Sequence, residues 1–204
     1  DVYKRQVWVS DSTDLKKAAQ RLAWGKFLNA GQTCVAPDYV LATSSTAKQL
    51  GKHLISALKN LYGDQPEKSP SYGRIISEHH LQRLKQLLAS VTTSQIIVGA
   101  EINDQNRYIA PTIIDEISLD APLMQTEIFG PILPIVRVEN FDEAIQIINE
   151  RPKPLALYAF TNIEKEKQRL IQETSSGALG FNLPVAHLSA RNLPFGGIGT
   201  SGQG

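Results

Sequence analysis

From Ile132 onward the hydrophobic positions follow two rhythms in turn. Ile132 to Val138 is an apolar run, and Phe141 to Asn149 places Ala144, Ile145, Ile147 and Ile148 at helical spacing. Leu155 to Phe160 is apolar again, Asn162 to Thr174 reads as a charged helix, and Gly177 to Asn182 as a last strand. Strands buried on both faces read as continuous apolar runs, whereas a helix lying on a sheet shows one apolar stripe. The alternation predicts an α/β fold: a mostly parallel sheet covered by helices on both faces. Sheets of this kind are expected to carry their sites at the carboxyl ends of their strands.

The first half of the chain fits the same scheme. Val7 to Val9 is a short strand, and Asp11 to Asp14 offers helix caps. The helix that follows, Asp14 to Asn29, places Leu15, Ala18, Ala19, Leu22 and Ala23 on one face, and Gly31 is positioned to end it. Tyr39 to Ala42 is a strand, and Ser44 to Thr46 caps a second helix striped by Leu50, Leu54, Ala57, Leu58 and Leu61. Gly63 to Ser71 carries two prolines and reads as a loop. A third helix runs from Ser77 to Ala89, and strands follow at Ile96 to Val98 and at Tyr108 to Ile114, the latter broken by Pro111. His79 and His80 open the third helix; neighbours there diverge by about 100°, so the pair is read as solvated rather than as a metal site.

With 204 residues, 42% of them hydrophobic and 20% charged, the chain can build one substantial core. A formal net charge of +1 gives no reason to expect nucleic acid or an anionic membrane as partner. No apolar run approaches the roughly 20 residues that span a bilayer. A single cysteine excludes an intrachain disulfide and fits a reducing, cytoplasmic setting. No internal repeat or domain boundary is visible, so residues 7–204 read as one domain. Residues 1–6, without an apolar stretch or an initiator methionine, read as a non-native leader.

That cysteine, Cys34, sits in Gly31-Gln32-Thr33-Cys34-Val35-Ala36-Pro37, between a helix stop and a strand. A tight connector there presents a nucleophile, yet a lone cysteine is most often a small buried hydrophobe. The residues alone leave both readings open. Trp24 to Tyr39 resembles the active-site cysteine segment of the aldehyde dehydrogenase family, in its fatty and aromatic aldehyde (class 3) branch. Glu127-Ile128-Phe129-Gly130-Pro131 resembles the same family's second motif, and Leu193 to Gly202 its third, in the family's order. The likeness runs from about Val7 to Gly204.

The resemblance implies the aldehyde dehydrogenase catalytic-domain fold and an activity: oxidation of an aldehyde to a carboxylic acid with NAD or NADP. Cys34 would be the nucleophile, forming first a thiohemiacetal and then a thioester, so that one difficult step becomes two easier ones. Backbone N–H groups around Thr33 to Val35 would steady the developing oxyanion. Glu127 would accept hydrogen bonds from the nicotinamide ribose, as an ionised carboxylate can from vicinal hydroxyls. Phe129 would pack beside the nicotinamide ring. Asn182 matches a family position near the cysteine, and His187 and Arg191 fall in a loop that tends to vary in the family, with no role implied for them beyond lining the substrate channel. No metal is implied. The glycine-rich end lacks the Gly-Lys-Ser/Thr ending of a phosphate loop.

Other family parts are not found in these 204 residues. The dinucleotide-binding domain, the Glu-Leu-Gly-Gly-Lys segment with the general base, and a C-terminal strand used in dimer formation belong to the family pattern. The chain is therefore expected to correspond to a catalytic domain cut at both ends and to be inactive in turnover by itself, the whole protein being a homo-oligomer. Two alternatives remain: an acylating or semialdehyde dehydrogenase with the same thiol chemistry, or a non-catalytic fragment with a buried cysteine. A cysteine hydrolase using Cys34 and His187 is disfavoured, because the residues after Cys34 do not match such enzymes.

Overall fold

The computed structural model describes residues 4–190 and 192–202. Its centre is a seven-stranded sheet in the order β3-β6-β7-β2-β1-β8-β9. The strands are β1 (Gln6–Val9), β2 (Tyr39–Thr43), β3 (Ile96–Val98), β6 (Thr112–Ile114), β7 (Ile132–Val138), β8 (Ala156–Phe160) and β9 (Ala178–Phe181). All neighbours pair in parallel except β3 with β6. A separate two-stranded ribbon joins β4 (Ile102–Asn103) to β5 (Tyr108–Ile109). The expected strand at Tyr108 to Ile114 thus divides before Pro111, whose missing N–H cannot join a ladder.

The helices are α1 (Leu15–Phe27), α2 (Ser44–Tyr62), α3 (Glu78–Ala89), α4 (Pro122–Gln125), α5 (Phe141–Glu150) and α6 (Glu164–Glu173). The crossover β1-α1-β2 steps along the sheet in one direction, and β7-α5-β8 steps in the other. Right-handed crossovers then put α1 and α5 on opposite faces. Trp8 of β1 packs its ring 5.3 Å from Phe141 on the α5 side and donates to Glu166 of α6. With both faces covered, β1 and β8 are buried at every position. This is the doubly covered α/β architecture expected from the apolar runs.

Two boundaries differ from the pattern. Helix α1 stops at Phe27, and Asn29, Ala30 and Gly31 then take left-handed φ angles of 53°, 52° and 73°. Three left-handed residues in a row turn the chain sharply into the cysteine segment. The two non-glycine ones each carry strain of about 1 kcal/mol or more. At the other boundary, residues 4–6 of the expected leader belong to the fold: Lys4, Arg5 and Gln6 are buried, and Gln6 opens β1. Their burial comes from pairing and ion contacts with distant residues, which local composition does not reveal.

Candidate active site

Cys34 is exposed, while the backbone on both sides of it is held. Upstream, the Gln32 side chain donates to the carbonyls of Asn29 (3.0 Å) and Arg74 (2.9 Å) and accepts from the Ile76 N–H (2.9 Å). Downstream, the Val35 carbonyl accepts from the Tyr158 hydroxyl (2.9 Å), and the Ala36 carbonyl from Arg5 Nε (3.0 Å). The Ala36 N–H closes the turn onto the Thr33 carbonyl at 3.0 Å. A side chain that is free on a fixed backbone is the opposite of a buried structural cysteine.

The second motif lies directly against this turn. A Cβ added to Gly31 would overlap the Gly130 carbonyl, 2.5 Å from its carbon and 3.1 Å from Pro131 N. Asp38, fully buried, joins the two segments: its carboxylate accepts from Ile128 N–H (3.2 Å) and Arg5 N–H (3.3 Å) and pairs with Arg5 Nη2 (3.2 Å). Arg5 Nη1 also pairs with the Glu127 carboxylate, whose side chain is 31% exposed. Phe129 is partly buried and held at a left-handed φ of 44°. The third motif follows at the same end, with Gly196 and Gly197 packed against Gly177 at the entrance to β9.

Cys34 precedes β2, Glu127 and Phe129 precede β7, and the Gly196–Gly197 pair meets the start of β9. The site therefore lies at the amino ends of the strands, not at the carboxyl ends expected of a doubly covered sheet. The reason is local: the chemistry-bearing residues sit in loops that enter strands. Asn182 is left at the other end. It caps the exit of β8, its amide accepting from Thr161 N–H (3.1 Å) and donating to the Thr161 carbonyl (3.3 Å). From there the loop returns along α1, through Arg21 on the Asn182 carbonyl (2.9 Å) and Pro184 against Gly25. It brings His187 to 6.0 Å from the Tyr158 ring, and burial lowers the His187 pKa. Arg191 lies outside the described residues.

Two groups have roles the sequence pattern does not suggest. His80, read as solvated, is half-buried with Nε2 2.6 Å from the Phe129 carbonyl. Arg83, one turn on, donates to the Glu127 carbonyl at 2.9 Å and to that of Ile128. Lys26 is fully buried, and its Nζ has no hydrogen-bond partner among the described residues. Burial lowers its pKa to about 7, against the attraction of Asp38 and Glu127 and with the help of Arg5 and Lys4. Lys4, on the Leu123 carbonyl at 2.9 Å, is lowered to about 8 for the same leading reason. The signal for Lys26 was present: it stands three and four residues after Ala23 and Leu22, on the apolar face of α1.

Among the described residues no group of three or more metal-ligating side chains converges, and no helix is long and apolar enough to cross a membrane. A cavity of about 430 Å³ between the end of α2, the Gly63–Lys68 loop and the β5–β6 connection shares no lining residue with Cys34, Glu127 or Phe129.

Cys34 is exposed on its pinned turn, and the Glu127–Pro131 segment meets that turn at the Gly31–Gly130 contact. The aldehyde dehydrogenase family model matches residues 4–204, and the chain belongs to that family. The rat protein named "Aldehyde dehydrogenase, dimeric NADP-preferring" is 47% identical over 98% of this chain and 44% of its own length. Human "Aldehyde dehydrogenase family 3 member B1" is 46% identical over 98% of this chain and 42% of its own length. The solved structure of Staphylococcus aureus AldH in a substrate-bound state superposes with a TM-score of 0.97 at 44% identity, covering all of this chain and 44% of that one. The chain thus spans less than half the length of these relatives.

Proposed function

We propose that this chain carries the thiol-bearing part of an enzyme that oxidises an aldehyde to a carboxylic acid with NAD or NADP. Family membership supports aldehyde oxidation in general. The observation that carries the finer reading is the turn that exposes Cys34 while fixing the backbone around it. The residues present suit a nicotinamide dinucleotide in kind: Glu127 offers a partly exposed carboxylate for ribose hydroxyls, and Phe129 an aromatic face. A ribose bound there would share the Glu127 carboxylate with Arg5. When bound, the nicotinamide supplies the acceptor for the hydride that aldehyde oxidation releases.

The remaining steps belong to the chain's own groups. The Cys34 thiolate adds to the aldehyde carbon, forming a C–S bond and leaving the negative charge on the former carbonyl oxygen. N–H groups of the pinned turn stabilise that oxyanion because they are already oriented. Loss of hydride restores the C=O as a thioester on Cys34. Water then adds to the thioester, the C–S bond breaks, and the acid leaves as the thiol recovers its proton. The rat relative's name specifies a dimeric, NADP-preferring enzyme; for the protein that contains this chain we infer a nicotinamide dinucleotide and a homo-oligomer.

A reactive aryl ester gives a direct test, because it donates an acyl group with an aryloxide as leaving group and forms the same thioester. Incubation with the folded chain should place a single acyl group on Cys34, read by peptide mass spectrometry, and Cys34→Ala should acquire none there. Acylation of lysines alone, with Cys34 untouched, would remove the basis for this reading.

A further inference from the structure

We propose that His80 and Arg83 are positioning residues that hold the Glu127–Gly130 segment in place, and that a second proton on His80 loosens the Arg83 half of that hold. That this segment is a cofactor wall rests on the function proposed above; the clamp itself does not.

Hydrogen-bond direction fixes the state of the imidazole. A carbonyl only accepts, so His80 Nε2, 2.6 Å from the Phe129 oxygen, carries the proton. A guanidinium only donates, so His80 Nδ1, which receives Arg83 Nε at 3.3 Å, presents its lone pair. The pair therefore selects the neutral Nε2–H tautomer. Arg83 continues the row, donating through Nη1 to the Glu127 carbonyl (2.9 Å) and through Nη2 to that of Ile128. Three successive carbonyls are thus held by two side chains one turn apart on α3. The His80 ring also meets the Phe129 ring edge-on, with centroids 5.9 Å apart.

The segment needs such support. Phe129 sits in the left-handed region, which non-glycine residues occupy only when surrounding contacts hold them there. The helix end is fixed as well, because Ser77 caps α3 by accepting the His80 N–H at 3.2 Å. Gly130, the next residue, lies under Gly31, so the clamp extends to the cysteine turn.

Protonation would undo the Arg83 half of the clamp, while Nε2–H keeps its bond to the Phe129 carbonyl. The second proton goes to Nδ1, where it opposes the Arg83 N–H: donor meets donor and cation meets cation. Burial is the main force keeping His80 neutral, and Arg83 and His79 act the same way; the Phe129 carbonyl and Glu127 pull in the opposite direction. Arg83 is in turn attracted by Glu127 and Asp38, so it has carboxylates to move toward when it is repelled.

Long-range ¹H–¹⁵N spectra of the chain across pH test the proposal without aldehyde or nucleotide, so a failed acylation of Cys34 would not decide it. Expected are an Nε2–H tautomer for His80, a titration midpoint below that of histidine in the denatured chain, and a Gly130 amide signal that moves with that midpoint. His80→Gln keeps an N–H donor for the Phe129 carbonyl but cannot titrate, so its Gly130 signal should stay near the native position and no longer move. Arg83→Gln should raise the His80 midpoint and broaden the tautomer preference. An Nδ1–H tautomer, or a Gly130 amide indifferent to His80 titration, would overturn the clamp.

Discussion

Gly31→Ala is expected to destabilise the chain by about 3 to 5 kcal/mol, and Gly63→Ala by the smaller amount that backbone strain alone costs, about 1 to 3 kcal/mol. Both glycines have a positive φ, 73° at Gly31 and 77° at Gly63, where ψ is −170°, so an alanine is strained at either. They differ in what a new methyl meets. At Gly63 none of the described residues lies within 4 Å of it, whereas at Gly31 the methyl overlaps the Gly130 carbonyl and lies 3.1 Å from Pro131 N. Backbone cannot rotate aside as a long side chain can, and the chain beside Gly130 is held by His80 and Arg83. The excess at Gly31 therefore measures the contact that brings the cysteine turn and the Glu127 segment together. Urea denaturation of both variants checks it. Equal losses would mean that the two segments can part without cost.

Lys26→Met is expected to raise stability at pH 7 by about 1 to 4 kcal/mol, within the range found when buried charges give way to apolar groups. Lys26 has a folded pKa of about 7 against an ordinary 10.5. Between those values the unfolded chain holds a proton that the folded chain has lost. Stability therefore rises with pH from about 7 to about 10.5, and the full penalty, on the order of 4 kcal/mol, applies at and below pH 7. Methionine has a similar length and no charge, so the variant should lose that part of the pH dependence. A smaller slope of the same sign remains from Lys4, lowered to about 8. Denaturation midpoints at pH 7 and pH 10 give the comparison. A variant that is less stable at pH 7, with the slope unchanged, would show that the Lys26 amine has a partner that stabilises it.

The sheet and its covering helices were legible because burial writes itself into periodicity. Ile132 to Val138 is apolar apart from Arg137, Leu155 to Phe160 is apolar throughout, and β7 and β8 are buried almost throughout. The three motifs were legible as motifs, but their place at the amino ends of the strands was not drawn from them. The order did contain it, since Cys34 comes before Tyr39 and Glu127 before Ile132. Arg5 and His80 were harder. Arg5 is buried by Asp38 and Glu127, 33 and 122 residues away, and His80 binds a backbone carbonyl, which leaves no trace in residue type. The division at Pro111 was readable from chemistry, whereas the left-handed Ala30 was not, because alanine disfavours that conformation, although Asn29 before it is of a type enriched there.

The central claim is that the fold presents Cys34 as an accessible and reactive thiol on a fixed turn. Its most direct test is the rate of Cys34 alkylation by iodoacetamide at one pH, in the folded and in the denatured chain. Alkylation is expected to be faster in the folded chain, because the pinned turn holds the exposed thiol in one orientation instead of averaging over many. A folded rate equal to or below the denatured one would contradict it, and would leave Cys34 as an exposed thiol that the surrounding structure does not activate.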